Sequence, residues 1–137
     1  MTAKQIKVKE VERSKYTIFL NRARQLYAMA QVAKDNEYWA AVGVNAVHCA
    51  ISLNDAVTVY CLGKRNSGED HATAAELLYK VELEGADSQS KNFSRIIAKK
   101  TAIEYEERDF RQTDALDILK QLERFYHWGT SKLPSQD

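Results

Sequence analysis

From Tyr38 to Leu62 the chain contains no proline and reads Tyr38-Trp39-Ala40-Ala41-Val42-Gly43-Val44-Asn45-Ala46-Val47-His48-Cys49-Ala50-Ile51-Ser52-Leu53-Asn54-Asp55-Ala56-Val57, continuing to Leu62-Gly63. Set on a helix of about 3.6 residues per turn, its apolar side chains fall at nearly every angle. A helix that is hydrophobic all round has to be enclosed by other elements. At roughly 1.5 Å per residue it is about 37 Å long, which predicts the central rod of an elongated helical bundle. On that rod Asn45, His48, Ser52 and Asp55 share an arc of about 80°. Polar groups buried there are costly unless paired, so this seam calls for partners from neighbouring elements.

A chain of 137 residues is long enough for one domain with a core of its own. Apolar residues make up 45% and charged residues 28%, a balance that excludes wholesale disorder. One proline and five glycines leave room for long helices. The formal net charge of +1 is no basic footprint for non-specific duplex binding, although a local patch is compatible with it. Cys49 and Cys61 lie on the same predicted helix, roughly 18 Å apart along its axis, which is beyond disulfide reach. No zinc-type spacing of cysteine and histidine occurs. Two unpaired cysteines, an N-terminus without a secretory apolar core, and an apolar run from Ala40 to Ile51 read as too short and too polar to span a bilayer predict a cytoplasmic protein with no membrane partner.

Residues 1–9 read as a basic flexible arm carrying Lys4, Lys7 and Lys9, residues 10–129 as a single helical domain, and residues 130–137 as a polar tail. Between Glu10 and Asp35, the apolar positions Tyr16, Phe19, Leu20, Ala23, Leu26, Tyr27, Ala30 and Ala33 keep helical phase. Asp35-Asn36 is a turn and cap signal, and Gly63 a C-terminal stop for the rod. Lys64 to Asp70 reads as a polar loop. A short helix follows from His71 to Leu83. A fourth runs from about Gln89 to Glu106, with Asp87 or Ser88 as its cap. Thr113 caps a fifth carrying Ala115, Ile118, Leu119, Leu122, Phe125 and Tyr126. Short connections favour antiparallel neighbours, so the fold class is all-α: an antiparallel up-and-down bundle of four main helices plus one short one.

The candidate site gathers around the polar seam. Lys100 stands in phase with the buried stripe of the fourth helix, where it either snorkels outward or meets a carboxylate, Asp55 being the in-phase candidate. Asn45 and His48 can equally be satisfied by neighbouring helices. In the loop, Arg65 and His71 are separated by five residues, with Asn66 directly after the arginine. Arginine offers a rigid fork of donors suited to phosphate, and histidine moves protons near neutral pH. Such a pair can cleave a phosphodiester without metal: His71 activates a ribose 2′-hydroxyl or protonates the leaving oxygen, and Arg65 stabilises the phosphoryl oxygens. The bland alternative is a helix-terminal arginine and a first-turn histidine capped by Asp70. Tyr105 and Arg108 would stand beside the seam if the fourth helix packs on the second. The three histidines, His48, His71 and His127, sit on separate elements, so no metal site is expected.

The run Asn45 to Ala56, then Gly63-Lys64-Arg65-Asn66-Ser67-Gly68-Glu69-Asp70-His71, resembles the HEPN superfamily (higher eukaryotes and prokaryotes nucleotide-binding), specifically its small single-domain bacterial members. The later Lys99/Lys100, Tyr105 and Arg108 stretch, leading into Thr113-Asp114-Ala115 and a closing amphipathic helix, resembles it too. The likeness spans Tyr16 to Trp128. It implies a bundle of four main helices plus a short one, frequently a homodimer. It also implies either a metal-independent ribonuclease of toxin–antitoxin or defence type, or a non-catalytic binding domain paired with a separately encoded nucleotidyltransferase. No cofactor is implied. The family's Arg-x(4–6)-His motif falls late in the fold. Here Arg65-Asn66…His71 matches it in spacing but lies after the second helix, while Arg108 and Arg111 have no histidine before His127.

The expectation is therefore a HEPN-like protein that engages RNA or a nucleotide. Arg65 and His71 are its catalytic candidates, and Asn45, His48, Asp55, Lys100, Tyr105 and Arg108 its binding residues. Its rival is a dimeric interaction or scaffold bundle with a fully satisfied core and an exposed apolar patch.

Overall fold

A computed structural model describes residues 7–68 and 70–135. The first strand, β1 (Val8–Glu10), leads through a 3-10 turn (Arg13–Lys15) into α1 (Tyr16–Asp35) and the rod α2 (Trp39–Leu62). Then come β2 (Lys64–Asn66), the short α3 (Ala72–Tyr79), α4 (Ala86–Glu104) and α5 (Gln112–Ser131). The all-α bundle of four main helices and one short helix is thus the observed fold.

Contacts between elements fix its directions. Tyr16 at the start of α1 meets Tyr60 near the end of α2 edge-on at 4.9 Å, so the two run antiparallel. The indole Nε1 of Trp128, late in α5, donates to the Glu84 carbonyl just before α4 (2.8 Å). Further along, Asn92 donates to the Gln121 carbonyl (2.9 Å) and Phe93 packs on Phe125, so α4 and α5 are also antiparallel. The far end of α4 lies over the start of the rod, where a methyl group on Gly43 would come within 2.7 Å of Ile103 and 2.8 Å of Phe110. Hydrogen at that position lets the α4–α5 connection seat directly on α2. The core is a continuous apolar cluster in which Val42, Ala46, Val47, Ala50, Leu53 and Val57 of the rod meet Leu20, Phe93, Ile96, Ile118, Leu122 and Phe125.

The ends of the elements follow local chemistry. Gly63 closes α2 in the left-handed region (φ 68°), as its lack of a Cβ permits. Several boundaries differ from the sequence reading. α4 begins three residues before the expected Gln89, with left-handed Gly85 (φ 87°) as its cap and Asp87 inside its first turn. α5 is capped at Arg111, whose N–H donates to Asp114 Oδ2 (2.9 Å), and Thr113 lies within the helix. The expected polar tail is helical to Ser131 and buries Leu133; residues 136 and 137 lie outside the described residues.

The largest departure is at the N-terminus. Of the expected flexible arm, residues 1–6 lie outside the described residues, but Val8–Glu10 pairs antiparallel with Lys64–Asn66, a segment read as loop. Strands this short carry no readable periodicity, and their pairing comes from backbone groups that every sequence possesses. The rod also differs from its expected environment: Ala40, Val44, His48 and Tyr60 are exposed. By length and hydropathy alone α2 is apolar enough to cross a membrane, contrary to the reading of the shorter run, and most of that surface packs into the bundle.

Candidate functional site

The site is organised by the end of α2 and the β1–β2 clamp. Val8 pairs with Asn66, Lys9 with Arg65 and Glu10 with Lys64. The ladder is continued by Val11 N–H to the Gly63 carbonyl (2.9 Å) and Ser67 N–H to the Lys7 carbonyl (3.0 Å). Antiparallel pairs alternate between bonded and non-bonded, so with 7–67 and 11–63 bonded, Lys9 and Arg65 form the bonded pair between them. The backbone of Arg65 is thereby held to β1 through both its N–H and its C=O. Asn66 is buried: its amide donates to the Gly68 carbonyl (3.3 Å), and its Oδ1 accepts from the Thr73 hydroxyl (2.9 Å). Asp70 Oδ1 accepts the Ala72 N–H (2.9 Å) at the start of α3. These bonds tie the loop carrying His71 to the strand carrying Arg65. Asn66 is accounted for by this bracing.

Arg65 Nη1 lies 3.4 Å from Asp55 Oδ2, and its guanidinium sits over the Phe19 ring, 5.3 Å from the centroid. Asp55 is only 7% exposed. Burial pushes its carboxyl up to about 6, against the opposing pull of the Arg65 and Arg22 charges. Burial likewise pushes His71 down, helped by the nearby charges of Lys100 and His48 and opposed by Asp70 and Glu104. His71 is therefore neutral at pH 7 and able to accept a proton. Asp55, Arg65 and His71 line one cavity of about 160 Å³, together with Ile51, Asn54, Asn66, Ser67, Gly68 and Ala74. Nitrogen and oxygen groups able to hold an anion and move a proton thus face the same concave space.

The other candidates are distributed differently. His48 is exposed and Asn45 half-buried, and the Asn45 amide donates to the Ala41 carbonyl of its own helix (2.8 Å). The seam expected inside the rod is therefore mostly a surface stripe, with Asp55 as its buried end. The tie expected between Lys100 and Asp55 is replaced by Arg65 on Asp55, because the β-clamp brings a guanidinium to the carboxylate. Lys100, half-buried on α4, acts electrostatically on His71 instead. Tyr105 is 75% exposed at the end of α4. Arg108 is held by Glu106 (3.0 Å) and Asp114 (3.4 Å). Neither lines the cavity, and Arg108 belongs instead to a surface ion cluster with Glu106 and Asp114 near the start of α5.

Two residues were not legible as site residues. Arg22 of α1 acts on Asp55 electrostatically, through a helix pairing that no local spacing encodes. Asn54 lies outside the arc shared by Asn45 and Asp55; its only sequence signal is the consecutive polar pair Asn54-Asp55 in an apolar run. Among the described residues, no group of three histidine, cysteine or acidic side chains stands close enough to hold a metal ion. Both cysteines are free, and burial pushes the Cys49 thiol up to about 12. Comparison of the chain with protein-family models, curated proteins and solved structures gives no match.

Proposed function

We propose that this protein is a HEPN-like, cytoplasmic RNA- or nucleotide-binding bundle whose working site is the cavity of Asp55, Arg65 and His71. The observation that carries the reading is the convergence of these three side chains, separated by as many as sixteen positions, on one concave surface. In this reading Arg65 binds a phosphoryl group, with Asp55 orienting the guanidinium and Phe19 supporting its face. Lys100, whose charge acts on His71, adds positive potential beside the cavity. His71, neutral at pH 7, removes the proton of a ribose 2′-hydroxyl. The 2′ oxygen then attacks the adjacent phosphorus and the 5′ oxygen departs, taking a proton from water. The products are a 2′,3′-cyclic phosphate and a 5′-hydroxyl end. Arg65 stabilises the charge that builds on the non-bridging oxygens.

The test is cleavage of a mixed-sequence RNA in the presence of EDTA. Replacing His71 with alanine is expected to slow cleavage by about 10²–10⁴-fold, and Arg65→Ala by about 10²-fold or more. Equal cleavage by wild type and His71→Ala removes His71 from the mechanism.

A second reading, a non-catalytic dimeric bundle partnering another protein such as a nucleotidyltransferase, has its own support. Ile18, Met29 and Val32 are exposed on α1 and fall within about 60° of one another around it. In that case the cavity binds without cleaving, and the α1 stripe is a contact surface.

A further inference from the structure

Arg22 is a charged neighbour of the cavity that the mechanism above leaves unused. It is exposed on α1, and its guanidinium lies over the Phe19 ring, 5.5 Å from the centroid. Arg65 lies over the same ring at 5.3 Å. The two guanidinium carbons therefore stand no more than about 11 Å apart, the sum of those distances. Phe19 is 9% exposed and belongs to the core cluster, which makes it a fixed support for both cations. Asp35, the last residue of α1, is the only acid of that helix, so no carboxylate stands one turn from Arg22. Among the described residues Arg22 makes no ion pair, and Arg65 engages Asp55 through a single nitrogen. Two guanidinium groups thus share one carboxylate. Like charges held this close repel, and an anion beside them removes that cost.

We infer that Arg22 binds the phosphate next to the one held by Arg65, so that the site takes two successive phosphates of one RNA strand. The inference rests on the phosphate-binding reading of the cavity. The size of the cavity selects this ligand. A space of about 160 Å³ equals about five water molecules at ~30 Å³ each. It holds one phosphoryl group and part of a sugar, so the strand has to leave it within a nucleotide. The next phosphate then passes outside, close to Arg65, where Arg22 stands exposed. A guanidinium fork takes phosphate oxygens at about 2.7–2.9 Å, and a second fork on the same ring extends the grip by one sugar. A single phosphate cannot use that reach, and two phosphates joined directly do not need it. The preferred substrate is therefore an oligonucleotide rather than a free nucleotide, and Arg22 binds it without touching the reacting atoms.

The measurement is calorimetric titration at pH 7 of the full chain with inorganic phosphate, adenosine 3′-monophosphate, adenosine 3′,5′-bisphosphate and adenosine 5′-diphosphate. The bisphosphate carries its phosphates on either side of one ribose. It is expected to bind about tenfold more tightly than the 3′-monophosphate and the diphosphate. Arg22→Gln should bring the bisphosphate and the 3′-monophosphate within about twofold of each other, with the 3′-monophosphate itself little changed. Arg24→Gln removes the same charge about 160° away around α1 and should keep the tenfold margin. The comparison of ligands on the wild type stands even if a variant fails to fold. Equal binding of the 3′-monophosphate and the bisphosphate by the wild type overturns the inference and leaves the Arg65 site standing. So does a margin that survives Arg22→Gln or falls equally in Arg24→Gln. A diphosphate that binds as tightly as the bisphosphate overturns the assignment to a strand. Absence of binding by every compound, inorganic phosphate included, overturns the proposed function and the inference with it.

Discussion

Asp55 concentrates the electrostatics of the site in one side chain. Its folded-state carboxyl lies at about 6, above its ordinary value of 3.8. The folded protein therefore binds this proton more tightly than the unfolded chain does. The resulting stabilisation is fully present below about pH 4 and is lost as the pH rises through about 6, a change on the order of 3 kcal/mol. Asp55→Asn has no such titration. Its stability relative to wild type should climb between pH 4 and pH 7 in urea denaturation series, and parallel curves for the two proteins would show that the carboxyl is not shifted. Asp55 also illustrates what a residue pattern reveals. A lone acid in an apolar rod announces a partner, and the sequence supplied a plausible one in Lys100. The partner is Arg65, because a single ion pair is decided by which cation the fold brings within reach, and spacing along one helix says nothing of that.

Among the elements, the smallest have the most influence on the site. The rod α2, with Gly63 as its stop, was legible because a long apolar run and a left-handed glycine are local signals. β1 and β2 were not, yet their pairing sets the backbone of Arg65. A proline at Lys9 removes the N–H that bonds Arg65, at a cost of about 1 kcal/mol. Lys9→Pro should therefore keep the helical circular-dichroism signal while weakening phosphate binding several-fold in the same titrations. Unchanged binding would mean that Asp55 and Phe19 hold Arg65 without help from the strand. α3 depends on the same clamp through the bond between Thr73 and Asn66, so His71 and Arg65 are positioned by one bracket of polar bonds.

At the scale of the whole molecule, the exposed side of the bundle bears on assembly. Ile18, Met29 and Val32 are exposed on α1, and Arg22, about 20° beyond their arc around the same helix, acts on Asp55. The apolar stripe therefore borders the side of the molecule that holds the cavity. If the protein is a homodimer, this stripe is the expected contact, and sedimentation analysis at micromolar concentration should give twice the monomer mass of 15.6 kDa. The double variant Met29→Glu/Val32→Glu should then sediment as a monomer with an unchanged melting temperature, since both side chains already face water. A wild type that remains monomeric at high concentration removes the contact.

Local physics written in the chain determined the bundle: periodic apolar residues have one way to leave water together, and short polar breaks force successive helices to turn back. It also marked Arg65, His71 and Asp55 as groups with business to do, because their chemistry is costly to bury and useful at phosphate. Tertiary structure alone decided that Arg65 rather than Lys100 meets Asp55, that His48 and Tyr105 face solvent, and that Asn54 is buried against the Ala74 carbonyl of α3. Each of those outcomes depends on the rotation and approach of elements distant in sequence, and differences of a few ångströms between them outweigh any preference carried by the residues themselves.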